Sequence, residues 1–235
     1  MRHRAPDELR PVSITRHYTT ATPGSVLIQM GGTWVLCTAS VSDDVPRWMR
    51  NSGKGRVTAE SAMLPGSGAE RVRRDAWQGG RSKEISRLIG RSLRAVTDMV
   101  GMGELAVRLD CDVLQADGGT RTAAVTGAWI ALHDAFEHAV ERGLVGRLPL
   151  LDRVAATSVG IVDGTALLDL EYESDVAAEV DMNVVMTGRG LLVEVQGTAE
   201  DQPYTREDLD DLLDLAHRGI DELLEMQSAL TGFGP

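Results

Sequence analysis

The chain has 235 residues, 43% of them hydrophobic, enough for a full core in one domain or two closely packed halves. No stretch approaches the ~18 apolar residues of a spanning helix, and the opening MRHRAPDELRPV lacks the apolar core of a secretory signal, so the expectation is a soluble, cytoplasmic protein with no membrane partner. The net charge of −11 excludes a nucleic-acid binder only as an average, because residues 1–96 carry +8 and residues 97–235 carry −19. The excess sits in residues 47–94, where twelve Lys and Arg face four acids. That pattern suits a polyanion-binding face on an acidic body, and equally a solvated arginine-rich surface; charge alone does not choose.

In chain order, residues 25–30 and 33–41 flank Gly31-Gly32 and predict a β-hairpin. Residues 46–80 are polar and rich in glycine and arginine, and predict a long loop with short ordered pieces. Residues 82–99 predict a helix, with Ile85, Leu88, Ile89, Leu93 and Val96 on one side and Arg87, Arg91 and Arg94 on the other. Residues 104–110 and 111–115 are strand-like, and 123–142 read as an amphipathic helix stopped by Gly143. Strands are then expected at 154–162, 166–172, 181–187 and 191–196. Thr205 and Asp208 have the spacing of a capping box for a long last helix carrying Leu209, Leu212, Leu213, Ala216, Ile220, Leu223 and Leu224. Ser25-Val26-x-Ile28 is echoed by Ser158-Val159-x-Ile161, a hint of internal duplication. No linker divides the chain, so one α+β unit is expected over 1–235, built from similar halves of roughly 1–145 and 146–235. Cys37 and Cys111 lie in apolar strand-like runs and read as reduced core residues.

The most informative run is 109–126, LDCDVLQADGGTRTAAVT: a strand with Asp110, Asp112 and Asp117, a Gly118-Gly119 turn, and a helix start at Thr120-Arg121. Glycines turn the backbone sharply and expose its N–H groups, the helix start adds partial positive charge, and Arg121 brings a planar fork of donors. The element suits a phosphate-like anion, although a capped turn needs no ligand. In 171–181, EYESDVAAEVD, Asp175 and Asp181 are a pair of the kind that holds Mg²⁺ or Mn²⁺ through oxygen ligands. The five histidines show no zinc spacing, and there is no P-loop and no dinucleotide-binding fingerprint.

These residues resemble the ribonuclease PH family, phosphorolytic 3′→5′ exoribonucleases that trim tRNA precursors. The likeness runs nearly end to end, through LRPV (9–12), GSVL (24–27), VLCTASV (35–41), VTAE (57–60), MLP (63–65), GGRSKEISRLIGRSLRAV (79–96), LDCDVLQADGGTRTA (109–123), SVGIVDG (158–164), DMNVVMTG (181–188) and VEVQGTAE (193–200). The resemblance implies a duplicated β-β-α-β core with helices packed on mixed sheets. It implies that Arg81, Gly119, Thr120 and Arg121 bind phosphate, that Asp175 and Asp181 form the essential acidic pair on a divalent ion, and that Arg87 is a further active-site arginine. It also implies that Arg71 and Arg74 grip RNA. Inorganic phosphate is then the co-substrate, tRNA precursors and other single-stranded RNA 3′ ends the substrates, and a homo-hexamer (a trimer of dimers) the assembly. Arg56 and Ser61 stand where the family usually has aromatics, Gly66 where it has an arginine, Val180 where it has a threonine, and the stretch between Arg74 and Arg81 is shorter than usual. These departures keep open a non-catalytic RNA-binding ring subunit and a phosphorylase acting on short nucleotides.

Overall fold

The computed structural model describes residues 4–43, 45–75, 79–200 and 202–234. Three β-rich runs open the chain as an antiparallel meander, β1 (Val12–Arg16), β2 (Gly24–Met30) and β3 (Thr33–Ser42). The second and third form the expected hairpin. The first strand is an edge addition that its short sequence did not announce. A 3-10 turn, Arg47–Met49, follows, and then β4 (Arg56–Met63) appears inside the segment expected to be a loop. RVTAESAM has little strand propensity of its own; pairing in parallel with β5 (Ala106–Gln115) fixes it as a strand. The two strands expected at 104–110 and 111–115 are this one continuous β5, antiparallel to β3. The first sheet runs β1-β2-β3-β5-β4.

Helix α1 (Gly80–Ala95) ends sooner than its apolar stripe suggested, because Thr97 leaves the helix to bridge Leu150. Helix α2 (Thr120–Glu141) starts at the glycine turn itself, three residues before the expected position. It is buried on nearly every side from Thr122 to Phe136, so it is a central helix rather than an amphipathic one. On one flank it lies against the first sheet so closely that a Cβ on Gly127 would stand 2.7 Å from Ile28 Cγ2. On the other, Thr126 Oγ1 accepts from Ala156 N at 3.2 Å and Trp129 Nε1 donates to Asp152 O at 3.1 Å, both on the second half.

That half carries β6 (Val154–Val162), β7 (Thr165–Leu168), α3 (Tyr172–Ala177), β8 (Val180–Thr187), β9 (Leu192–Ala199) and α4 (Arg206–Thr231). Its sheet runs β7-β6-β8-β9 and is antiparallel throughout, so only the first sheet is mixed. β7 stops before the expected 172 because Asp169 turns the chain with φ +57° into a buried ion pair. The Ser-Val-x-Ile echo falls on β2 and β6, which occupy different places: β5 joins the second strand of its hairpin and β8 the first strand of its own. The capping box on α4 is present, with Thr205 and Asp208 each satisfying the other's backbone N–H. Leu212, Ala216, Ile220, Leu223 and Leu224 of the expected stripe are buried, while Leu209 and Leu213 flank the core. One apolar core joins both sheets, α2 and α4. Cys37 and Cys111 are free thiols facing each other across β3 and β5 inside it.

Candidate active site

Asp117, Gly118 and Gly119 turn the chain from β5 into α2. Gly118 and Gly119 have φ +71° and +65°, a region that glycine enters without cost, and a Cβ on Gly118 would stand 2.4 Å from Leu170 O. The turn is held from behind. Thr33 Oγ1 accepts from Asp117 N at 2.9 Å and donates to Gly118 O at 2.5 Å. The Arg10 guanidinium donates to the carbonyl of Asp117 and grips Asp169 through Nε and Nη2 at 2.9 and 2.8 Å. Burial alone would raise the Asp169 carboxyl; the hydrogen bonds from Arg10 hold it below the ordinary range. Arg4 adds an ion pair with Glu171 at 2.7 Å. The amino-terminal segment thereby ties the glycine turn to the start of α3.

Thr120 and Arg121 are the first residues of α2, with the helix N–H groups behind them. Asp175 lies on the short helix α3, and Asp181 is the second residue of β8. Burial, and then the negative charge of Asp175, push the Asp181 carboxyl up to about 6 against the opposing charges of Arg121 and Arg81. Partial burial raises Asp175 too, again opposed by Arg81 and Arg121. Four residues singled out in the sequence thus share one electrostatic site: Arg81 from α1, Arg121 from α2, and the two aspartates. Asp181 Oδ1 is buried with no hydrogen-bond partner among the described residues. An orphaned carboxylate oxygen beside a second carboxylate fits a hard divalent cation such as Mg²⁺.

Arg87 is placed differently. It lines a cavity of about 390 Å³ between α1 and the β4–β5 pair, together with Lys83, Glu60, Asp110 and Asp112. Asp110 and Asp112 therefore do not serve the glycine turn. Strand alternation turns them to the other face, where burial raises both carboxyls, helped by Glu60 for Asp110 and by Asp110 for Asp112. Arg71 and Arg74 are exposed on the loop after β4. That loop leans on the end of β5, where Ser67 O accepts from Ala116 N at 2.7 Å, next to the glycine turn. Of the shortened stretch between Arg74 and Arg81, residues 76–78 lie outside the described residues. Arg56, at a usually aromatic position, lies 5.9 Å over the Trp48 ring.

The single three-donor cluster suited to a metal among the described residues is His133, Asp134 and Glu137. Arg16 already occupies it, donating to Asp134 Oδ1 at 2.6 Å and Glu137 Oε2 at 3.2 Å. Sequence reasoning missed Arg4, Arg10, Thr33 and Asp169, and also Gln196, whose amide oxygen accepts from Arg121 at 2.9 Å. Arg10 and Gln196 do fall inside two of the matched strings, LRPV and VEVQGTAE, but no motif chemistry marked them.

Fold and site define a class. Residues 8–136 match domain 1, and residues 152–219 domain 2, of the 3′ exoribonuclease family. Solved structures share the fold: an Archaeoglobus fulgidus exosome with RNA bound to its active site (TM-score 0.81, 21% identity, 95% of this chain and 90% of the other) and rice Rrp46 (TM-score 0.80, 17% identity, 98% and 99%). Ribonuclease PH of Corynebacterium efficiens is 56% identical over 97% of this chain and 95% of its own length, and that of Methylobacterium radiotolerans 56% identical over 95% and 96%. The chain belongs to the ribonuclease PH family, the phosphate-dependent 3′→5′ exoribonucleases with reverse nucleotidyltransferase activity.

Proposed function

We propose that Arg81, Gly119, Thr120 and Arg121 hold inorganic phosphate against the last phosphodiester of an RNA, with tRNA precursors and other single-stranded 3′ ends as substrates. The observation that carries this reading is the buried Oδ1 of Asp181, unpartnered among the described residues, in a site where the charges of Arg81 and Arg121 act on both Asp175 and Asp181. Phosphate is an anion attacking an anionic ester, and the two guanidiniums with the α2 N-terminus offset that repulsion. A phosphate oxygen bonds to the terminal phosphorus, and the bond from that phosphorus to the 3′ oxygen of the preceding nucleotide breaks. The products are a nucleoside diphosphate and an RNA shorter by one nucleotide. Asp175 and Asp181 would hold Mg²⁺ or Mn²⁺, which supplies charge neutralisation at the scissile phosphate and the departing oxygen. With its carboxyl near 6, Asp181 is also suited to hand a proton to that oxygen, and ligation and proton donation compete for the same group.

Arg87, beside its cavity, would meet the RNA strand rather than the attacking phosphate, and Arg71 and Arg74 its backbone further from the 3′ end. The site draws Arg81 and Arg121 from one half and Asp175 and Asp181 from the other, which supports a single catalytic unit over 1–235. A homo-hexameric ring, a trimer of dimers working in the cytoplasm, is the assembly proposed. The test is a 3′-extended tRNA precursor incubated with protein and Mg²⁺, with and without inorganic phosphate. Phosphate-dependent release of nucleoside diphosphates is expected. Turnover confined to dinucleotides would mean that the altered 56–80 segment no longer accepts tRNA, and tight RNA binding without turnover would mean a non-catalytic ring subunit.

A further inference from the structure

We infer that Gln196 is a positioning residue for phosphate: it holds the Arg121 guanidinium in its anion-binding pose without neutralising it. The inference rests on the reading of Arg121 as a phosphate ligand and deepens it.

Gln196 lies on β9, and its amide is used at every hydrogen-bonding point that the geometry requires. The oxygen accepts from Arg121 Nη1 at 2.9 Å. The nitrogen donates to Glu84 Oε1 at 2.9 Å and to Glu194 Oε1 at 2.7 Å. The reversed amide would turn its oxygen to two carboxylates and its N–H groups to a guanidinium, so the orientation is fixed by chemistry. Glu194 is itself clamped by Arg91, which donates from Nε at 2.9 Å and from Nη2 at 2.6 Å to both oxygens. Arg91 and Glu84 both belong to α1, the helix that carries Arg81. The chain of contacts Arg91, Glu194, Gln196, Arg121 therefore sets the phosphate arginine of α2 relative to that of α1.

The residue type follows from the charges. Glu84 Oε2 already stands 3.7 Å from Arg121. A carboxylate at 196 would add a third negative charge between Glu84 and Glu194 and pair directly with Arg121, competing with an incoming dianion. A neutral acceptor takes one of the five guanidinium N–H donors and leaves the others for a forked grip on phosphate.

The test is steady-state phosphorolysis with phosphate varied at saturating RNA, and RNA varied at saturating phosphate, for wild type, Gln196→Leu, Gln196→Glu and Arg121→Ala. One charge-assisted hydrogen bond is at stake, so Gln196→Leu should raise KM for phosphate about tenfold and leave KM for RNA within about twofold. Gln196→Glu should raise it further. The rise in melting temperature on adding inorganic phosphate without RNA should shrink in the same order. A Gln196→Leu protein with wild-type KM for phosphate and wild-type thermal response to phosphate overturns the inference, provided Arg121→Ala loses both. If Arg121→Ala also keeps both, the phosphate-site reading itself falls. Equal damage to both KM values with a lowered melting temperature would show a packing role instead, and so would overturn positioning. Should Gln196→Leu fail to fold, Gln196→Met carries the same comparison.

Discussion

At the scale of the residue, the site is a set of charges whose values are set by their neighbours. Asp181 has its carboxyl at about 6 when folded, against 3.8 for the ordinary group. A carboxyl raised on folding stabilises the protein while it stays protonated, and that contribution is lost as pH rises through about 6. A divalent cation favours the ionised form. Mg²⁺ should therefore raise the melting temperature little at about pH 5 and by several degrees at about pH 7.5, and Asp181→Asn should remove the difference. A Mg²⁺ response that is the same at both pH values would mean that Asp181 is not a ligand. Arg10 gives a second test. It and Asp169 are both buried, and deleting the guanidinium leaves that carboxylate only the backbone N–H of residue 10 and the more distant Arg4, so Arg10→Ala should cost about 3 kcal/mol in denaturant unfolding. The candidate residues Arg121 and Asp181 were legible because their types and spacing advertise chemistry. Arg10 and Gln196 were not, since their roles come from partners more than 70 positions away.

At the scale of the element, the sequence disclosed what periodicity can encode and hid what tertiary pairing decides. The β2–β3 hairpin, α1 and the α4 capping box carry their own signals and stand within a few residues of expectation. β4 had no such signal, because a parallel neighbour stabilises it, and α3, with six residues, is too short to show a helical period. α2 shows no single apolar face for the opposite reason: both sheets cover it, so most of its residues are buried, His133 and Asp134 among them. Its tight seat predicts the effect of adding volume. Gly24 approaches the helix backbone, where a Cβ would stand 2.0 Å from Ala131 O, and Gly127 approaches side chains, Ile28 Cγ2 at 2.7 Å and Cys37 Sγ at 3.0 Å. Gly127→Ala should destabilise by about 1–3 kcal/mol, as overpacked cores do, and Gly24→Ala by more, because a carbonyl of a packed helix cannot move aside. Chemical unfolding of the two variants gives the order directly; the reverse order would mean that α2 shifts as a unit.

At the scale of the whole molecule, the proposed function depends on a division of charge. The basic stretch 1–96 provides Arg81 and the exposed Arg71 and Arg74, while the acidic stretch 97–235 provides Asp175, Asp181 and, against its own average, Arg121. On that reading, an acidic body would repel RNA everywhere except along the basic stretch, which would steer a strand toward the glycine turn and away from the rest of the surface. Backbone contacts of this kind leave a signature in salt dependence, because each phosphate neutralised releases counterions. For a single strand the slope of log K against log salt is about −0.7 per contact. Replacing Arg71 and Arg74 together by Ala should therefore make the slope shallower by about 1.4 and weaken binding to all sequences alike. The chemical step on a short substrate, which does not reach the loop, should be unaffected. RNA binding titrated between about 50 and 300 mM salt for wild type and the double variant measures this. An unchanged slope with unchanged affinity would remove the 71–74 loop from the RNA path and leave α1, with Lys83 and Arg87 beside the cavity, as the face that receives the strand.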